Sequence, residues 1–436
     1  MREHNSVVAV RTNPPGTREQ VGTSECLTLA VRVEHYQNSA RRRPRTETCQ
    51  FHHPAELRVV AQEPQISGLV LADVDEARVR AVAEKLPPGK AETLVLDASD
   101  HGALVKAAKG ADFVLNALAT AWDIPVMEAC LEAGVNYLDM GTGGPREITG
   151  TADLDEQLAL DGEFARRGLT AMVSFGIDPG VSDVFARALH DEFDTVESLT
   201  VLDGDNGTLD GYEFACSFSP ETMIEECLLP PCVFRDGREA RNEALSVWRE
   251  FDFPAPVGRL KLWNVDHEEA QLMPQFLIGK GLREAAFYIA LDERFVEALR
   301  VFRALGLNRR QPVEFEGASV SPIRFVAARF PQPAELAGKL HGAVCVGTLC
   351  EGTIGGRPAR RFMYQTTSHD QAWERWGVQG TGWQTGASAA VAVRLFARGE
   401  VARRGVVVPE FLDPQPFIAE MRAVGLEVGV VDLPLD

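Results

Sequence analysis

The chain has 436 residues, with 44 basic and 63 acidic side chains and a net charge of −19. Its length suggests two or three domains, and a 45% hydrophobic, 25% charged composition is that of a soluble globular enzyme. No apolar run approaches the ~20 residues of a membrane span, and the acidity argues against broad contact with nucleic acid or anionic lipid, both of which reward clustered Lys and Arg.

The charge is unevenly spread. Residues 1–58 hold nine Arg and six Glu, a net of +3, with no Lys, no Asp and four of the nine histidines. The rest of the chain therefore carries −22. We expect 1–58 to be an atypical, disordered prefix. Among the eight cysteines, Cys227 and Cys232, and likewise Cys345 and Cys350, stand five apart, which is not zinc-knuckle spacing. Free thiols in a reducing, cytoplasmic compartment are the expectation, with no metal.

From residue 66 the pattern is regular. Residues 66–72 (ISGLVLA) read as a buried strand ending in Asp73, followed by a helix from Asp75 to Leu86 that Pro87 stops. A strand at 93–96 ends in Asp97, and Ser99 or Asp100 caps a helix reaching Lys109. Residues 113–115 form a strand ending at Asn116, 125–132 a helix closed by Gly134, and 136–139 a strand ending in Asp139. A single helix over 154–167 and a strand over 170–174 complete the series. Strands alternating with helices of this length predict a doubly wound, parallel, Rossmann-like sheet with crossover helices. Ligands bind at the carboxyl edge of such a sheet, and an acid such as Asp73 at a strand end there suits the ribose hydroxyls of a dinucleotide. Val74 follows Asp73, with no Arg to meet a 2′-phosphate. This favours NAD, with NADP as the alternative.

The glycine turn is missing. A pyrophosphate needs close backbone approach and a helix N-terminus, in a strand, G-x-G-x-x-G, helix unit ~20 residues before Asp73. Residues 1–58 contain only Gly16 and Gly22, so the sheet is expected to be incomplete at its first strand. A second candidate, Gly380, Gly382 and Gly386 ahead of a helix over 387–398, follows no apolar strand. A tightly packed helix start explains it better.

Past Gly180 the texture changes. Strands at 196–202, 263–265, 285–289, 312–315 and 343–349, a helix at 295–305 and long links indicate an α+β domain with its own mixed sheet. Helices at 387–398 and 416–424 end the chain. The expected division is a prefix to 58, a dinucleotide-binding domain over 59–190, a substrate and dimerisation domain over 191–380, and helices over 381–436 that pack back on the first domain.

Several ordered motifs resemble the saccharopine dehydrogenase family: 69–75 (LVLADVD), 112–117 (DFVLNA), 134–139 (GVNYLD), 176–180 (GIDPG), 211–214 (GYEF) with 218–220 (FSP), 253–258 (FPAPVG), 267–269 (HEE) and Thr385-Gly386. The resemblance implies cofactor contacts at Asp73, Asp97, Asn116, Ala117, Gly176, Pro179 and Gly180. Gly141 falls where reductase relatives place a substrate-contacting Ser. Ala270, Leu272 and Met273 depart from the pattern of lysine dehydrogenase-like members, which counts against lysine itself as substrate. The implied partners are a small amino-acid or polyamine substrate and a second copy of the chain.

The implied chemistry is hydride transfer between nicotinamide and a carbon bearing nitrogen. A base must deprotonate an ammonium before an imine can form, and the cofactor carries the hydride. Asp178 and His267 are the candidates for proton traffic, because His titrates near ~6.5. Glu268 and Glu269 are the candidates for holding the substrate ammonium. Two alternatives follow from the missing glycine turn: a binding or regulatory relative without cofactor, or a frame-disrupted product in which 1–58 replaces the family's first strand and loop.

Overall fold

The computed structural model describes residues 6–12, 54–118, 120–142, 154–336 and 338–435. The first unit contains β1 (Ser6–Thr12), α1 (Pro54–Ala61), β2 (Ile66–Asp73), α2 (Glu76–Ala83), β3 (Ala91–Val95), α3 (His101–Ala108) and β4 (Phe113–Ala117). It continues through α4 (Asp123–Ala133), β5 (Asn136–Leu138), α5 (Asp155–Ala159), α6 (Asp161–Arg166) and β6 (Thr170–Met172). Local chemistry sets the boundaries. Asp75 and Asp100 cap α2 and α3 by accepting from the amides of Arg78 and Ala103. Gly134 closes α4 in the left-handed conformation, at φ 75°. β4 is buried along its whole length, as a central strand between two helical layers must be.

The seven-stranded sheet runs in the order 405–407, β6, β5, β4, β1, β2, β3. Its neighbours are parallel except at β1, which is antiparallel to both β2 and β4. The position we expected to be incomplete is therefore filled, but by a reversed strand. Ser6 pairs with Ala117 at the carboxyl edge, and Thr12 with Ile66 at the opposite one. The expected prefix boundary at 58 falls inside α1, and Gly16 and Gly22 lie outside the described residues.

Two other expectations are corrected. The helix read over 154–167 is two short helices meeting at Leu160. Just past that break, Asp161 accepts from the amide of Val406 and so ties α6 to the sheet's outermost strand. The helix read from 387 starts seven residues earlier, as Gly380–Ala397. Its glycines are needed for approach rather than for phosphate: a Cβ on Gly386 would overlap the buried Glu56 side chain.

Helix α7 (Val181–Glu192) leads into β7 (Thr195–Asp205), the middle of a nine-stranded mixed sheet. β7 runs parallel to Glu284–Ala290 and antiparallel to Ala343–Ile354. The C-terminal segment joins both units: Gly405–Val407 extends the first sheet and Val428–Asp432 the second. Arg394, on helix Gly380–Ala397, and Arg398, which caps its C-terminus, clamp Glu63 and Glu420 between them. One hydrophobic core spans both units, and a second, centred on Phe251, Phe253 and Phe362, fills the far face of the mixed sheet. No described helix is long and apolar enough to cross a membrane.

Candidate active site between the two sheets

The loop 176–180 follows β6 at the carboxyl edge of the first sheet and opens α7. It is drawn tight: the Gly176 amide donates to the Pro179 carbonyl (2.9 Å) and the Val181 amide to the Gly176 carbonyl (3.1 Å). A Cβ on Gly180, whose φ is +136°, would overlap the backbone of Gly176, so only glycine fits. Asp183, in the first turn of α7, accepts from the Gly180 amide at 2.9 Å.

The loop faces His267, Glu268 and Glu269. His267 Nδ1 is hydrogen-bonded to Glu269 and stands 3.3 Å from a Glu268 oxygen. Its ring stacks on Phe287 at 3.8 Å. Burial opposes a charge on the imidazole, but Glu269 and Glu268 outweigh it and hold the pKa well above its ordinary value. Thr142, next to Gly141, donates to Glu268 at 2.7 Å, and Ser182 donates to Glu269 at 2.9 Å. Gly141 itself stands against Thr120, and it is Thr142 that brings the loop after β5 to the same motif. The ligating atoms of residues 267–269 lie within 4.8 Å of one another, and Thr142, Ser182 and His267 Nδ1 already engage oxygens of the two carboxylates.

Asp178 joins the group. Burial and the neighbouring charge of Asp203 push its carboxyl well above the usual range, while His267 works the other way. Asp203, from β7, is pushed up to about 8 by burial and by Asp205, with Glu269 and Glu226 adding to it. One Asp203 oxygen is shielded from water and accepts no hydrogen bond. Asp178, Asp203, Glu226, Glu268 and Glu269 thus converge around one imidazole. Asp203 and Glu226 were missed from sequence, as was His369, which is fully buried. Its Nε2 bonds Asp205 at 3.1 Å and its Nδ1 accepts from the Gly380 amide, also at 3.1 Å.

The expected cofactor residues divide. Gly176, Pro179 and Gly180 stand with Asp178 and His267 in this group. Asp73 lies at the end of β2, buried, accepting from the Asp75 amide at 2.7 Å. Asp97 is half-buried and accepts from Ser99. Asn116 points inward, donating to Asp123 (2.7 Å) and Tyr137 (3.0 Å) and accepting from the Leu118 amide (3.1 Å), and Ala117 is fully buried. The nicotinamide end of a dinucleotide would meet the 176–180 loop, where glycines at both ends let the backbone fold tightly beside Asp178 and His267. At the pyrophosphate end the described residues offer no glycine turn on the carboxyl edge, because β1 runs the wrong way.

The saccharopine dehydrogenase C-terminal domain profile matches residues 176–426, and the saccharopine dehydrogenase NADP binding domain profile matches 55–172. The chain belongs to the saccharopine dehydrogenase family. The carboxyaminopropylagmatine dehydrogenase of Synechocystis is 31% identical over 83% of this chain and 90% of its own. The carboxynorspermidine synthase of Vibrio cholerae is 32% identical over 79% and 84%. Among solved structures, the apo saccharopine dehydrogenase (L-Glu forming) of Saccharomyces cerevisiae has a TM-score of 0.64, 14% identity and coverage of 87% of this chain and 97% of its own. The homospermidine synthase of Legionella pneumophila, solved with NAD, has a TM-score of 0.61 and 14% identity, covering 83% and 84%. These two share the fold of the family, an α/β dinucleotide-binding unit followed by a mixed-sheet unit.

Proposed function

We propose that this chain is an NAD(P)-dependent oxidoreductase acting on the C–N bond of a polyamine carrying a carboxylated arm. The observation that carries the reading is the convergence of Asp178, Asp203, Glu226, Glu268 and Glu269 on His267. So many desolvated acids around one imidazole call for a cationic ligand, and a di- or polyamine supplies one. The names of the two relatives point to the same class. Bound nicotinamide would supply or accept the hydride. The chain's residues would do the rest: Asp203 and Asp178 hold ammonium groups, the 176–180 loop orients the reacting carbon, and His267 exchanges the amine proton through Nε2. No described residue hydrogen-bonds that nitrogen.

The test is amine-dependent NAD(P)H oxidation in the presence of a short carboxylated aldehyde, with calorimetric binding of the amine alone in parallel. Diamines should bind and turn over while monoamines of equal length fail, and Asp203→Asn should weaken diamine binding about tenfold. Equal response to diamine and monoamine would overturn the substrate class.

We further read the working form as a cytoplasmic homodimer. Leu305, Phe315 and Phe325, exposed at 69%, 63% and 59% in one stretch of chain, support a covered surface there. Light scattering tests it, and a concentration-independent monomer would refute it.

A further inference from the structure

We propose that Asp183 and Glu410 share one proton in a buried carboxyl pair that locks the 176–180 loop, making Glu410 a positioning residue for the site. Only the catalytic consequence rests on the function proposed above.

Asp183 has no exposed surface, and one of its oxygens holds the Gly180 amide. Its other oxygen accepts no hydrogen bond from any conventional donor. Glu410, 1% exposed, sits in the 3₁₀ turn Pro409–Phe411, which packs on α7: Arg187, one turn past Asp183, donates to the Glu410 carbonyl, and the two buried carboxyls face each other. Neither Glu410 oxygen has a donor from another residue. The neighbouring guanidinium does not serve: Arg187 gives Nη1 to the Glu410 backbone carbonyl at 2.6 Å and Nε to Asp191 at 2.8 Å. The charged groups facing the pair are Arg187 from α7, Glu269 from helix Glu269–Leu277, and His267 just before that helix.

Two buried carboxyl groups without a donor attract each other only if one carries the proton, because like charges at contact cannot both persist in a desolvated site. With the proton in place, Asp183 keeps its grip on Gly180. When the proton leaves to solvent, two anions face each other beside Glu269, and the helix cap that ends the loop loosens. The electrostatics agree in direction. Burial and Glu410 raise Asp183 well above its ordinary range, and burial pushes Glu410 up to about 7. A raised carboxyl means that the folded chain holds a proton the unfolded chain has already lost. This stabilisation is complete below the unfolded value and disappears as pH rises through the folded one.

The variant Glu410→Gln decides the matter, since an amide can donate to Asp183 and cannot ionise. Difference infrared of the wild type at neutral pH should show a protonated-carboxyl stretch that E410Q lacks. The wild type should lose more thermal stability than E410Q between about pH 5 and pH 8. Asp139 and Asp203 titrate in the same range in both proteins, so they cancel in the comparison. If amine turnover is found, its alkaline limb should move up by about one pH unit in E410Q. An unchanged infrared band together with an unchanged pH slope in E410Q overturns the pair, whatever the activity assay shows. If amine turnover is absent at every pH but the band and slope behave as stated, the pair stands and the proposed function falls.

Discussion

Glu269 holds the Nδ1 of His267, which leaves the opposite ring nitrogen without a hydrogen bond from any described residue. The arrangement fixes ring orientation and favours the imidazolium at once, as a carboxylate behind an imidazole does. Replacing Glu269 with Gln keeps the hydrogen bond available but removes the charge, so the His267 pKa should fall by ~1–3 units. The sign follows from the direction of the shift. A His raised in the folded state stabilises below its unfolded pKa, and the benefit is lost as pH rises through the folded value. In E269Q that loss should begin at lower pH. Proton NMR titration of the His267 ring checks this, and an unshifted curve would remove Glu269 from the role.

Gly180 should tolerate nothing larger. An alanine there meets the Gly176 backbone and must hold φ +136°, so Gly180→Ala should cost at least ~2 kcal/mol in urea unfolding. Gly89 provides the control: it also has positive φ, but no atom lies within 4 Å of a Cβ placed there. Its Ala variant should lose about 1 kcal/mol, the backbone component alone.

The motifs around the site could be read from the sequence because they are contiguous. GIDPG and HEE each place several functional groups within five residues, and the strand-end polar residues mark the sheet edge. Asp203 gave a weaker signal: it alternates with Asp205 at the end of a strand, which puts both on one face. Glu226 and Glu410 gave none, because the groups each one meets lie far off in the chain. Asn116 was legible by position, at the strand end, but the turn of its amide toward Asp123 and Tyr137 was not. Spacing reveals position along an edge, not which way a side chain turns.

The helix Gly380–Ala397 should act as a clasp on the first unit. Glu63 is 1% exposed and receives Arg398 at 2.7 Å and Arg394 at 3.2 Å, while Glu420 takes one further nitrogen of each. Removing one acid leaves two guanidiniums partly buried and under-compensated. Glu63→Ala should cost ~2–4 kcal/mol, below the full buried-pair penalty because the Arg398 side chain keeps 27% exposure. Chemical denaturation measures it, and a change under ~1 kcal/mol would show the clasp to be a surface feature.

The reversed strand leads to the last prediction. In a doubly wound sheet the turn after the central strand emerges at the carboxyl edge, where its amides can reach a pyrophosphate. Here that edge of β1 holds Ser6, beside Ala117, and the chain leaves from Thr12 at the other edge. A dinucleotide approaching this edge finds no glycine turn from β1 among the described residues. A chimera replacing residues 1–53 with a parallel strand and a G-x-G-x-x-G turn should bind NADH about tenfold or more tighter than the present chain, ~1.4 kcal/mol at least. Fluorescence titration of both proteins reads the difference. Equal affinity would mean that the pyrophosphate is held by something other than a turn from the central strand. The reversal of β1 would then carry no consequence for the cofactor.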